Sequence, residues 1–355
     1  MKNNQKNLNG SLASKILELP NKKFAFFLIS FLIVKNGIHP IGTDWIDWVY
    51  SAGKSFPSPE NYFSYSTIPV LIAKTLNYPP YLIWWFIFLS FTFLFYFLVI
   101  LNIKKYAGNE FKKVVLIVFC FPFITSPLYY LGHYDLITIA GALIAGFTKR
   151  KKLIIIGALF AIGSNPEQAI MTSICVVILS IGTKINLHRF IAKVWMSLSL
   201  SAYLLLKLLI GASSDGNRIS IIIGQLKEVI PDSLGRLNII IYSVFGLGWI
   251  IIYLSHQVKD IFTSWSFVYL GALILPVCLS ILILDRTRVG VAVGTLPLLM
   301  FVKYILDFEP ARSNLLNKIN FQYLLVVFVL VPTIFVDTDG AIRLPYLELV
   351  HKFLV

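Results

Sequence analysis

This sequence is short of charge, and shorter of acid than of base. Only 14% of its residues are charged, with 17 Asp and Glu against 31 Lys and Arg. A soluble globular domain carries about 25% charged residues, so the deficit excludes an ordinary soluble enzyme. Cysteine is scarce too. Cys120, Cys175 and Cys278 all fall inside apolar runs, which leaves neither a disulfide framework nor metal-ligand spacing. Phosphate-binding glycine loops, zinc motifs and nucleophile elbows are also missing, which argues against nucleotide-driven chemistry. Strands of alternating polarity are absent, so a β-barrel is not expected.

What the chain does have is apolar residues. Of its 355 residues 57% are hydrophobic and 15% aromatic, with a mean hydropathy of +0.78. A helix crossing a bilayer needs about 20 such residues in a row. Runs of that kind lie near 24–40, 79–103, 114–131, 134–147, 153–164, 168–182, 194–210, 237–255, 262–284, 289–306 and 320–336. The reading is an all-α polytopic membrane bundle of about eleven transmembrane helices, forming a single domain over 1–355. The polar N-terminus is too long for a signal peptide, so the first run reads as a retained span. The runs 134–147, 153–164 and 168–182 are short for spans, which is tolerable where their ends line a cavity.

The net charge of +14 would point to nucleic acid in a soluble protein. Here most of the basic residues gather in alternate loops such as "KKYAGNEFKK", "TKRKK" and "TKINLHRFIAK". That pattern sets orientation and places these loops in the cytoplasm, so no nucleic-acid partner is expected. The acids collect in the opposite loops. Avoidance of the anionic inner leaflet explains some of that bias, but acids at the ends of spans are also functional candidates. Lys35 and Lys207 are mid-span exceptions.

The loop 41–78 is aromatic and only partly apolar, which suits interfacial helices. In "DWIDW", Asp44 and Asp47 share a helical face and could bind a cation or take a proton from a hydroxyl. Alternatively, Asp44 caps a helix and the tryptophans form an interfacial belt. In "GHYD", His133 can change charge near neutral pH, and Asp135 stands where it could cap the next helix. In "SNPEQ", Asn165 and Pro166 form a helix start with Glu167 in the first turn, where the helix dipole favours it. "LDRTRVG" offers Arg286 and Arg288, whose forked guanidinium groups suit phosphate oxygens. The competing account of this motif is an Asp285–Arg288 ion pair with snorkelling arginines. "SSDGNR", ending in Arg218, and "DTDGAIRLPY" are polar turns that could close over the same cavity.

An early aspartate in "GTDWIDWVYSAG", followed by "YSTIPVLIA" and then by "PLYYLGHYDLITIAGALIAGFTKRKKLIIIGALFAIGSNPEQAI", resembles the GT-C superfamily of polytopic glycosyltransferases. That resemblance implies a membrane enzyme with its active site on the periplasmic or lumenal face. Such an enzyme moves a sugar, with inversion, from a polyprenyl-phosphate donor to a lipid, glycan or protein acceptor within the membrane lipid. Asp44, aided by Asp47, would then be the general base, and Arg286 and Arg288 would hold the leaving phosphate. His133, Asp135, Glu167 and Arg218 would contact substrate. No cofactor is implied, and a divalent cation is left open. The alternative is a lipid-linked sugar flippase or other transporter, although no internal repeat relates the two halves.

Overall fold

The computed structural model describes residues 12–57, 62–76, 81–211, 218–256, 264–283, 285–336 and 341–345. The described residues are helical almost throughout. Two short helices, α1 (Leu12–Glu18) and α2 (Asn21–Asn36), lead to α3 (Thr43–Ser55) and α4 (Thr67–Leu76). The long helix α5 (Tyr81–Ala107) follows, then α6 (Phe111–Phe119), α7 (Pro122–Tyr129), α8 (Asp135–Phe147), α9 (Lys151–Ser164) and α10 (Pro166–Ile181). Next come α11 (Asn186–Ile210), α12 (Arg218–Gly235), α13 (Leu237–Phe245) and α14 (Gly248–His256). After α15 (Trp265–Tyr269) and a π-helical turn come α16 (Leu275–Ile281), α17 (Arg286–Asp307), α18 (Glu309–Lys318) and α19 (Phe321–Leu330). A two-residue antiparallel pair, β1 (Phe335–Val336) with β2 (Ile342–Arg343), closes the described part.

The expected bundle of about eleven spans is not what forms. Among the described residues three helices, α5, α11 and α17, are long and apolar enough to cross a membrane. The number rises to six if each bent pair counts as one span. This is consistent with a multi-pass membrane protein and well short of eleven. The physical reason lies in length. At 1.5 Å per residue, α8, α9 and α10 reach only about 20–24 Å, below the ~30 Å hydrocarbon core. Two other apolar runs are broken, α6–α7 bending by 58° and α13–α14 by 85°, and a 67° bend sets α19 off from the polar α18.

The breaks are chemically satisfied. Pro122 opens α7, and the Gly248 N–H at the second break donates to the Cys120 carbonyl at the first, at 3.1 Å. Two interrupted helices thus meet at their breaks and supply each other's missing backbone partner, as an apolar surrounding requires. At the start of α10 the Asn165 side chain accepts from the Gln168 N–H at 3.1 Å, with Pro166 at the first helical position. That is the cap the sequence spells.

The helix α17 runs through the middle of the molecule, packed on α8, α10, α13 and α16. Its stretch from Arg286 to Val302 is buried at every position. Beside it α8 and α9 form a close antiparallel pair. A Cβ on Gly141 would sit 2.4 Å from the Gly157 carbonyl, and one on Gly157 would sit 2.4 Å from the Gly141 carbonyl. Small residues let helices approach where no water drives their association.

Two ends can be told apart. The start of α8, the end of α9 and the start of α17 lie together, because the Ser164 hydroxyl donates to the Tyr134 carbonyl at 2.6 Å and Arg288 meets Asp135. At the opposite end Lys149 lies 3.8 Å from Asp307, the last residue of α17.

Candidate functional site

The site is built on the loop between α7 and α8. Its segment 128–131 is fixed by backbone hydrogen bonds with His39 and Ile41, and the Trp84 indole N–H donates to the Gly132 carbonyl at 2.9 Å. Gly132 has φ of +96°, a left-handed conformation that glycine adopts without strain. That turn presents His133, which is only 3% exposed.

His133 Nδ1 lies 3.2 Å from Asp135 Oδ2 and 3.3 Å from the Asp135 backbone nitrogen. The same Asp135 oxygen is 3.2 Å from Arg288 Nε. The Arg288 guanidinium also pairs with Asp285, one turn back on the chain, and lies 5.2 Å over the Trp45 ring. Trp45 in turn meets His133 edge-on, with ring centroids 4.9 Å apart. Burial pushes His133 below its ordinary value of 6.5, and the Arg288 charge pushes it further, against the pull of Asp135.

Arg286 points elsewhere. Two residues apart on a helix, Arg286 and Arg288 do not share a face. Arg286 reaches α12, donating from Nε to Ser233 Oγ at 2.8 Å and from Nη2 to Asp232 at 2.6 Å. Asp232 also pairs with Arg236 at 2.9 Å. Between the two arginines, Thr287 donates to Ser243 and accepts from the Val336 N–H, each at 2.8 Å. The next residue back, Phe335, stacks on Tyr129 with ring centroids 3.8 Å apart. The end of the described chain is thereby tied to the α7–α8 loop.

Among the described residues, Arg286 Nη1 and His133 Nε2 are buried atoms of this cluster with no hydrogen-bond partner. Arg286 is 1% exposed. Orphaned buried polar atoms are rare and call for an account such as a water or ligand.

The structure therefore unites His133, Asp135 and Arg288 and sets Arg286 beside them on the same first turn of α17. The Asp285–Arg288 pair forms, but its arginines are buried and do not snorkel. Asp44 is exposed in the first turn of α3, where Gly42 takes the cap position. Among the described residues no hydrogen bond or ion pair joins Asp44 to the cluster. Asp47 accepts a hydrogen bond from the Tyr81 hydroxyl at 3.1 Å. Glu167 is half-buried in the first turn of α10. Arg218 opens α12, but its side chain lies outside the described residues, as do Asp215 and the motif residues 337–340. Sequence reasoning missed Trp45, Asp232 and Ser233 as members of the site. Trp45 carried a signal, being the neighbour of Asp44 on an aromatic face. Asp232 and Ser233 carried none, because α12 meets α17 only through the tertiary fold.

No family model, curated protein or solved structure matches the chain. The resemblance to the GT-C superfamily thus finds no relative to support it, and the helix count runs against it. A glycosyltransferase with a polyprenyl-phosphate-sugar donor and a glycan, lipid or protein acceptor is unsupported. The flippase or transporter alternative fails on the same findings. Among the described residues no three His, Cys, Asp or Glu side chains gather in a way that could hold a metal ion.

Proposed function

We propose that this chain is a multi-pass membrane protein that binds a small anionic group, a carboxylate or phosphate, in the cluster at the first turn of α17. The observation that carries this reading is the buried, unpartnered Arg286 Nη1 in the first turn of α17, with His133 Nε2 a second such atom in the neighbouring His133–Asp135–Arg288 group. A positive helix end adds to their attraction for an anion. Asp135, Asp285 and Asp232 balance the guanidinium charges of Arg286, Arg288 and Arg236, so the cluster is close to neutral and its arginines stay oriented. Asp44, Asp47, Glu167 and Arg218 are proposed to border the entrance from the same end. By the distribution of lysine and arginine, that end faces away from the cytoplasm across an inner or plasma membrane.

Ligand binding is tested by titrating inorganic phosphate or acetate into the purified protein and following thermal unfolding. A ligand at 100 times its dissociation constant stabilises by about 2.7 kcal/mol. Arg286→Gln should remove the effect and His133→Ala should weaken it. No saturable shift with either anion, or an equal shift in Arg286→Gln, would sink the proposal. Orientation is tested separately in a Cys278→Ser background with single cysteines at Trp48 or Asn109, both exposed. An impermeant thiol reagent should label the first and spare the second in intact cells; the reverse pattern would invert the orientation.

A further inference from the structure

A second feature lies along α8 and ends far from the cluster. Between α5, α8 and α9 runs a groove of about 870 Å³. Its walls are apolar, with Phe95, Leu98, Leu143 and Phe160 among them, and Ile68 and Ile72 of α4 close one end. It extends from Leu136, next to the charged cluster, to Thr148 past the end of α8, about 20 Å at the rise of a helix. At that far end the lining changes character to Asn102, Lys105, Lys149 and Arg150.

Among the described residues the mouth carries more positive charge than the neighbouring acids balance. Lys149, Arg150, Lys151 and Lys152 lead into the N-terminus of α9, which has no acid in its first turn and no side-chain cap. A helix N-terminus is the positive end of the dipole and disfavours cations, so these four oppose it. The nearby Asp307 lies 3.8 Å from both Lys149 and Lys303, so it is shared. An apolar trough with a basic mouth at the positive end of a helix fits one kind of occupant, an amphiphile with an anionic head. Basic pockets between membrane helices hold anionic lipid headgroups on the same grounds.

We infer that the α5–α8–α9 groove holds an acyl chain of an anionic phospholipid, with its phosphate at Lys105, Lys149, Arg150 and the start of α9. The site is distinct from the anion cluster at the opposite end of α8 and does not depend on it. The apolar residues Phe91, Leu94 and Leu98 on α5 and Ile156 and Phe160 on α9 are exposed beside the trough, so a chain can enter sideways from the bilayer.

The full-length protein is exchanged into nanodiscs of equal phosphatidylglycerol and phosphatidylcholine, then extracted into mild detergent. Retained lipid is counted by native mass spectrometry. Phosphatidylglycerol should be kept at least roughly tenfold over phosphatidylcholine. The combined Lys105→Gln, Lys149→Gln and Arg150→Gln variant, all at exposed positions, should bring retention of the two lipids close to equal. Ala140→Trp fills the trough while leaving the mouth intact, and should lose the retained lipid with unchanged helical circular dichroism. Equal retention of the two lipids by the unaltered protein, or undiminished phosphatidylglycerol in both variants, would overturn the inference.

Discussion

Helices α11 and α17 are both long and apolar, yet 17% of the apolar stretch of α11 is buried inside the protein and 89% of that of α17. α5 resembles α11, at 33%. Hydropathy alone would treat them as equivalents. On α11, Leu204, Leu205, Leu208 and Leu209 face outward, where in a bilayer they meet lipid tails at little cost. α17 instead carries two arginines, two threonines and a lysine among its buried residues, each of which needs a partner. An apolar helix can thus be either a wall or an axis. The difference lies in what its polar residues require.

The sharpest way to break this comparison is to remove a partner from the axis. Asp135→Ala leaves Arg288 and His133 without their shared carboxylate, and breaking a buried pair costs about 3–5 kcal/mol. A fall in the thermal midpoint of that order is expected in detergent. A change as small as that of a surface substitution would mean that the cluster is not a stabilising hub.

Apolar truncation should show the same contrast more mildly. Leu296 on α17 is fully buried, whereas Leu204 on α11 is 60% exposed. Leu296→Ala should cost about 2–3 kcal/mol, the lower part of the usual range, because in lipid the cavity matters more than transfer from water. Leu204→Ala should stay within about 0.5 kcal/mol. Equal losses would erase the distinction between wall and axis.

Helix approach offers a finer test. Gly141→Ala forces a methyl against the Gly157 carbonyl and should cost roughly 1–3 kcal/mol by overpacking. Gly224→Ala on α12 meets nothing within 4 Å and should be neutral or stabilising by up to about 1 kcal/mol. Unfolding midpoints of the two variants, measured side by side, decide it.

The smallest effect concerns pH. His133 has its protonation depressed in the folded protein, so the unfolded chain binds the proton more readily. The stability this contributes is present above the unfolded value of about 6.5 and is lost as pH falls through the lower folded value. A midpoint that declines with acid below about pH 6.5 is expected, with a shallower decline in His133→Gln. Identical slopes in the two proteins would remove His133 as the responsive group.

Parts of this arrangement were legible in the residues. The long runs within α5, α11 and α17 are visible as hydropathy, and the Asn165–Pro166 helix start follows from local backbone chemistry. The Asp285–Arg288 pair follows from one turn of helix. The eleven-span reading failed because hydropathy registers how apolar a run is and says little of where its helix breaks. Cys120–Phe121 and Gly246–Leu247 interrupt two such runs, and each break persists because the other repairs its backbone. The candidate base Asp44 and the expected substrate contact Asp135 are both acids beside an apolar run. Packing left the first exposed and enclosed the second between His133 and Arg288.

The sequence by itself determined a chain strongly apolar and poor in acid, with many of its basic residues gathered in short clusters between apolar runs. It also determined the local devices, caps and one-turn ion pairs, because these depend on neighbours within about four residues. Only the tertiary structure decided which apolar helix became the buried axis and which carboxylates the arginines meet. Asp232 and Arg286 are 54 residues apart, and nothing local joins them. The partner of a buried charge is chosen by which helices can pack closely enough to enclose it, and that is a property of the whole fold.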